Sequence, residues 1–186
     1  MAANKVQFGL KNCYYAVATF SGTSVTYSTP KAIPGGVNLN LSAQSESTRF
    51  YADDRLYFAT VSNTGYEGDL EVAKIPDDML QDVFGYTLQG TSKVLAEDAS
   101  VEPKHFALLF EINGDQSEEK YALYDCVAGR PAVASGTIQA TKEPVTQSIA
   151  ITAAPLADGV TLRRTTDQTT STVKSGWYSS VFVATT

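Results

Sequence analysis

Apolar and polar residues alternate one by one along "VNLNLSA" (37–43), and this period of two constrains the fold more than any other feature of the chain. It places Val37, Leu39 and Leu41 on one face and Asn38, Asn40 and Ser42 on the other, as in a strand with one face buried. The pattern returns in "YEGDLEVAKI" (66–75), where Leu70 and Val72 oppose Asp69 and Glu71, and in "TQSIAITAAP" (146–155). "VQFGLKNCYYAVAT" (6–19), "HFALLFEI" (105–112), "YALYDCVA" (121–128), "PAVASGTIQATK" (131–142) and "WYSSVFVAT" (177–185) also read as strands. Gly9 is expected to mark a bulge, "QSEST" (44–48) a polar loop, and Asn113–Gly114 a hairpin turn. "TTDQTTSTVKSG" is low in complexity, and residues 165–175 are expected to form a mobile Thr-rich loop before the last strand. Ten to twelve strands in 186 residues imply a mainly β protein in a single domain, 1–186, with two packed antiparallel sheets.

One segment breaks the pattern. In "KIPDDMLQDVFGY" (74–86), Pro76 forces Ile75 to be extended, so the strand stops there. Asp77 is placed to cap a helix, and Asp77 and Asp78 suit its electropositive first turn. Met79, Leu80, Val83 and Phe84 share one face at 3.6 residues per turn, and Gly85 supplies the stop. The spacing predicts one short flanking α-helix at about 77–84. It is too short to stand alone and is built to lie on a sheet.

Charge is unevenly spread. Residues 40–125 carry 17 acidic and 6 basic side chains, whereas the two flanks carry 3 and 8, for a net charge of -6. An acidic middle argues against tight nucleic-acid binding, which needs clustered Lys and Arg against phosphate. It also allows opposite signs on different copies to meet. No apolar run approaches the ~20 residues of a membrane span. "MAANKVQFGL" does not read as a signal peptide, so synthesis in a reducing cytosol is expected. Cys13 and Cys126 then read as free thiols within strands, with a disulfide as the alternative.

A search for chemistry finds no catalytic set. His105 has no G-x-S-x-G nucleophile elbow to serve. The pairs Asp53/Asp54, Asp77/Asp78 and Glu118/Glu119 fit turns and a helix start better than a glycosidase or calcium site. P-loop, dinucleotide, H-E-x-x-H and C-x-x-C signatures are absent from the sequence. Two cysteines and one histidine are too few for a closed zinc site. Tyr14, Tyr15, Phe50, Tyr51, Tyr57 and Phe58 could stack on bases, but without a basic groove they read as core and interface.

Four blocks carry a resemblance: "FYADD" (50–54), "GYEGDLEVAKIPDDMLQDVFGY" (65–86), "PKHFALLFEINGD" (103–115) and "YDCVAGRPAVASGTIQATKEPVTQSIAITAAP" (124–155). In this order and spacing, up to about residue 160, the chain resembles the major tail protein family of long-tailed phages with non-contractile tails. The resemblance implies a β-sandwich, also described as a barrel-like tail tube fold, flanked by a helix. It implies hexameric rings stacked head-to-tail into a tube, a virion protein made in the host bacterial cytoplasm, and neither enzymatic activity nor a cofactor. Implied partners are tape measure, tail terminator and distal tail proteins, with genomic DNA passing through the lumen without specific binding and no membrane association. Within it, Met79, Leu80, Val83 and Phe84 are expected to pack the helix on the sheet. Residues 42–54, with Ser45, Glu46, Arg49, Phe50, Tyr51, Asp53 and Asp54, are expected to project and touch a neighbouring copy. Arg130, Lys142, Arg163, Arg164 and Lys174 against Asp77 and Asp78 are the expected inter-ring charges. The rival readings are a monomeric carbohydrate-binding β-sandwich module and, more remotely, a carboxylate-pair hydrolase.

Overall fold

The structure is a computed structural model that describes residues 9–114, 119–133, 135 and 144–184. Within them lie eleven strands and two short helices. The strands are β1 (Leu10–Ser21), β2 (Ser24–Tyr27), β3 (Lys31–Ala32), β4 (Gly36–Ala52), β5 (Arg55–Val72), β6 (Thr87–Gln89), β7 (Val94–Ala96), β8 (Phe106–Ile112), β9 (Lys120–Ala128), β10 (Gln147–Ala153) and β11 (Leu162–Arg164). The helices are α1 (Asp77–Asp82) and α2 (Ser171–Gly176). The protein is mainly β with two antiparallel sheets, as the alternation predicts, and the sheets are very unequal. Nine strands run in the order β2-β1-β8-β9-β10-β5-β4, with β11 on β9 and β3 on β1, while β6 and β7 form a separate hairpin.

The large sheet curls until its ends approach. Gly36, at the start of β4, lies so close to β1 that a Cβ there would sit 3.1 Å from Cys13 Sγ and 3.2 Å from Leu10 Cδ2. The curl encloses the main core, which joins Tyr15, Leu70, Val72, Phe106, Leu108, Leu123, Ile149 and Ile151. In β9, Asp125 (φ 47) adds a residue to the ladder, so Leu123 and Cys126 both point into this core. A similar irregularity in β1 falls between Lys11 and Tyr14, with Asn12 at φ 54; the expected bulge at Gly9 is displaced to this point.

Helix α1 lies against the same core, as its spacing predicts. Met79, Val83 and Phe84 are buried and Leu80 is half-buried at the edge. One expectation is corrected: Pro76, extended at ψ 140, holds the N-cap position and Asp77 is already helical. The carbonyl of Pro76 accepts from the N–H groups of Met79 and Leu80, so no side-chain cap is used. Gly85 (φ 72) ends the helix where a Cβ would sit 2.4 Å from Val101 Cγ1.

The opposite face of β8 and β9 is covered too, by chain that reads in sequence as a loop and a strand. Residues 171–176 are helical, and the turn Trp177–Ser179 and an unpaired segment, 181–184, follow. Val173 and Trp177 stand four residues apart on one helical face and pack with Leu109, Ala122 and Tyr124. The expected C-terminal strand does not form because these aromatics cover a sheet face rather than extend a sheet edge. Trp177 Nε1 donates to the Tyr121 carbonyl at 3.3 Å, and the Tyr124 hydroxyl donates to the Phe182 carbonyl at 2.5 Å. The strand expected in "PAVASGTIQATK" lies largely outside the described residues.

Candidate functional site

Strands β4 and β5 pair along their whole length, from Gly36↔Val72 to Ala52↔Arg55. Strand β10 supports β5 only as far as Tyr66, opposite Ala153. Beyond that point the two strands continue as a ribbon with no further strand beside it among the described residues, from Ala43 to Ala52 and back from Arg55 to Gly65. At 3.2–3.4 Å per residue the ribbon reaches roughly 30 Å. The expected loop at "QSEST" is therefore strand, and the true turn is only Asp53–Asp54, both at positive φ (51 and 55). Neither face of the ribbon is buried, so no alternating pattern marks it in the sequence. The arm departs at an irregularity between Gln44 and Ser45, opposite Gly65 (φ 132), where a Cβ would fall 2.0 Å from the Ala153 carbonyl oxygen.

The arm's tip is apolar on both sides. Phe50 and Phe58 face each other across the strands on one side; Tyr51, opposite Leu56, and Val61 lie on the other. Tyr57, at the second irregularity, meets Phe50 edge-on with ring centroids 6.3 Å apart. These six side chains are between 51 and 68% exposed. The structure thus gathers Phe50, Tyr51, Asp53 and Asp54 at the end of the arm, with Ser45, Glu46 and Arg49 on its shaft. The sequence sets Tyr57 and Phe58 beside Phe50 and Tyr51 as aromatics of core or interface but does not place them, or Leu56 and Val61, in the projecting segment, although the Phe50↔Phe58 register follows once the turn is placed at Asp53–Asp54.

At the arm's base, the outer face of β4, β5 and β10 has a different character. Glu67, Asp69 and Glu71 form a column on β5. Ser42, Asn40 and Asn38 of β4 stand opposite them on one side, and Thr152, Ala150 and Ser148 of β10 on the other. The nine positions make a flat field of small neutral groups with an acidic centre line.

Between β1 and the start of β4 the curled sheet leaves an open cavity of about 490 Å³. Its walls include Leu10, Leu39, Leu41, Phe110, Ile112 and Leu162, with Val37 at its exposed rim.

Arg130, Arg163, Arg164 and Asp77 are spread over the surface and engaged within the chain. Arg130 reaches the Glu97 carboxylate and donates to the carbonyls of Asp98 (2.7 Å) and Val101 (2.8 Å), pinning the β6–β7 excursion. Arg163 donates to Asp158 at 3.1 Å and lies over the Tyr124 ring. Arg164 donates to Glu119 at 2.7 Å. The Lys174 carbonyl accepts from Lys120 Nζ at 2.8 Å. Asp77 stands 4.0 Å from Lys74, and Asp78 is exposed on α1. Lys142 and Glu118 lie outside the described residues.

His105 precedes β8, half exposed, with Nδ1 2.5 Å from the Asp125 carboxylate and Phe20 edge-on to its ring. Both cysteines are free and buried. Burial pushes the Cys13 thiol up to about 11 and raises the Cys126 thiol as well, so neither supplies a thiolate near neutrality. Among the described residues no group of three or more His, Cys, Asp or Glu could hold a metal ion. Among them, too, no helix is long and apolar enough to cross a membrane. No protein-family model matches the chain, and a search of curated proteins finds no match.

Proposed function

We propose that the chain is a structural protein that assembles with copies of itself, as hexameric rings stacked into the tube of a phage tail through which DNA is delivered. The observation that carries this reading is the β4–β5 arm. A two-stranded ribbon is at best marginally stable in water. Among the described residues this one also presents unpaired edges along both strands beyond Tyr66, and six large apolar side chains at its tip. Such edges and patches are liabilities on a protein that stays alone. They become assets when neighbouring copies cover them and the sheets of successive copies join into a closed wall.

The acidic field on β4, β5 and β10 supports the same reading. Duplex DNA carries one negative charge per ~1.7 Å of its axis. A wall that passes DNA without holding it must lack basic clusters, and the field of Glu67, Asp69 and Glu71 with its small neutral neighbours meets that need. The roles of tape measure, terminator and distal tail proteins as partners, and the virion as location, belong to the same proposal and rest on the sequence resemblance.

Negative-stain microscopy over rising protein concentration tests it, with the parent chain beside a variant whose residues 45–61 are replaced by a two-residue turn. Rings or tubes from the parent and folded monomers from the variant are expected. A parent that stays monomeric at the highest concentration and binds glycans would overturn the proposal in favour of a carbohydrate-binding module.

A further inference from the structure

The aromatic tip of the arm and the cavity between β1 and β4 are two exposed apolar features without an occupant, and β4 contributes to both. We propose that the cavity is a socket for the arm tip of another copy of this chain, an inference that rests on the self-assembly reading and adds its contact.

Size comes first. At 150–250 Å² per aromatic side chain, the six exposed tip residues present on the order of 600–700 Å² of surface. That approaches the ~800 Å² each partner contributes to an interface of standard size. It exceeds what a lone protein commonly leaves bare. The tip needs a protein surface to cover it.

Shape comes second. Phe50 and Phe58 lie on one side of the ribbon, and Tyr51, Leu56 and Val61 on the other. Docking flat on a neighbour would leave one side in water, whereas entry into a recess covers both. The cavity of about 490 Å³ is open and falls in the size range of protein binding recesses. The walls carry the apolar side chains of Leu10, Leu39, Leu41, Phe110, Ile112 and Leu162 beside the polar groups of Asn38, Tyr66 and Tyr121, and the Tyr121 hydroxyl is already given to Glu119 at 2.7 Å.

Geometry comes third. Leu39 in the socket and Phe50 at the tip are separated along β4 by roughly 35 Å of extended chain. The arm is continuous strand over that span, so it cannot bend its tip into its own socket. The contact must join different copies. Each copy offers one tip and one socket at different places; a reciprocal exchange would close a two-fold pair, and the stacked-ring reading selects the head-to-tail alternative, which continues from copy to copy.

The test uses two exposed positions, Phe50→Cys on the tip and Val37→Cys on the rim, made as separate full-length proteins, with Tyr57→Cys as a second tip position. The native Cys13 and Cys126 are buried, and the parent chain sets the background. The proteins are mixed under assembly conditions, oxidised and run without reductant. A disulfide requires Cα atoms within about 7 Å, so it reports on the contact itself. The expected result is a tip-to-rim dimer at least tenfold more abundant in a mixture than in either variant alone. Assemblies that form without a tip-to-rim link from either tip position would overturn the socket and leave the assembly reading standing. Tip-to-tip links in Phe50→Cys alone would do the same. A parent chain that remains monomeric at every concentration would overturn both.

Discussion

Glu111 is a carboxylate buried in a strand core, and its neighbours keep it charged. Burial alone would raise its carboxyl. Lys11 (2.8 Å), Asn12 (2.9 Å) and Tyr178 (3.2 Å) more than offset this, and the group sits below the ordinary glutamate range. Tyr178 belongs to the C-terminal covering segment and stacks on Tyr14 of β1 at 4.8 Å, so Glu111 helps fasten that segment. A lowered folded-state value means stability that is complete above about pH 5 and is lost as pH falls through that lowered value. Trp177, the single tryptophan, is buried in the same segment and reports on it. Its emission is expected to move to longer wavelength in acid, with the shift largely abolished in Glu111→Gln; emission unchanged down to pH 3 would show that Glu111 does not fasten the segment. On the other face, Phe84 is buried against the main core. Phe84→Ala is expected to cost about 3–5 kcal/mol in denaturant unfolding. A midpoint equal to the parent's would mean that α1 is dispensable. Phe84 was legible in sequence because helical spacing and a stop at Gly85 both point to it. Glu111 was not, because its partners lie on β1 and beyond α2, far away in the chain.

At the scale of elements the arm is the feature on which the proposed assembly turns, and its turn is its strained point. Asp53 and Asp54 both hold positive φ, which a two-residue hairpin turn demands and which Asn-Gly satisfies with less strain. Asp54→Gly is expected to stabilise the arm by up to about 1 kcal/mol, read as slower amide exchange between residues 48 and 60 and unchanged exchange in β8. Faster exchange would mean that the Asp54 side chain contributes more than its backbone costs. The strands at the arm's base announced themselves because their inner faces are buried, so Leu39, Leu41, Leu70 and Val72 alternate with polar residues. The arm itself hid in "QSEST" because a ribbon wet on both sides leaves no such mark. The C-terminal cover hid for the opposite reason. Its threonines look like a loop, and the i, i+4 pair Val173 and Trp177 becomes meaningful only once a bare sheet face is known to lie beneath it.

For the whole molecule, the proposed assembly raises the question of what would drive copies together, and the placement of charge bears on it. Arg130, Arg163 and Arg164 spend their guanidinium groups on Glu97, Asp158, Glu119 and nearby carbonyls of the same chain. Three of the five expected basic contributors are thereby paired within the chain, while Lys142 lies outside the described residues. What remains between copies is a like net charge of -6 and an exposed apolar arm. Like charges repel within a Debye length, about 8 Å at physiological ionic strength, and added salt shortens that range. Sodium chloride is therefore expected to speed assembly, and sulfate, which strengthens apolar burial, to speed it further at equal ionic strength. Light scattering at fixed protein concentration measures both. Phe50→Ser/Phe58→Ser should abolish the growth at every salt concentration while leaving the monomer's melting unchanged, because both rings are exposed in the free chain. Assembly that slows as sodium chloride rises would reverse the argument: opposite charges would then be meeting between rings, and the internal pairs of Arg163 and Arg164 would have to open to supply them.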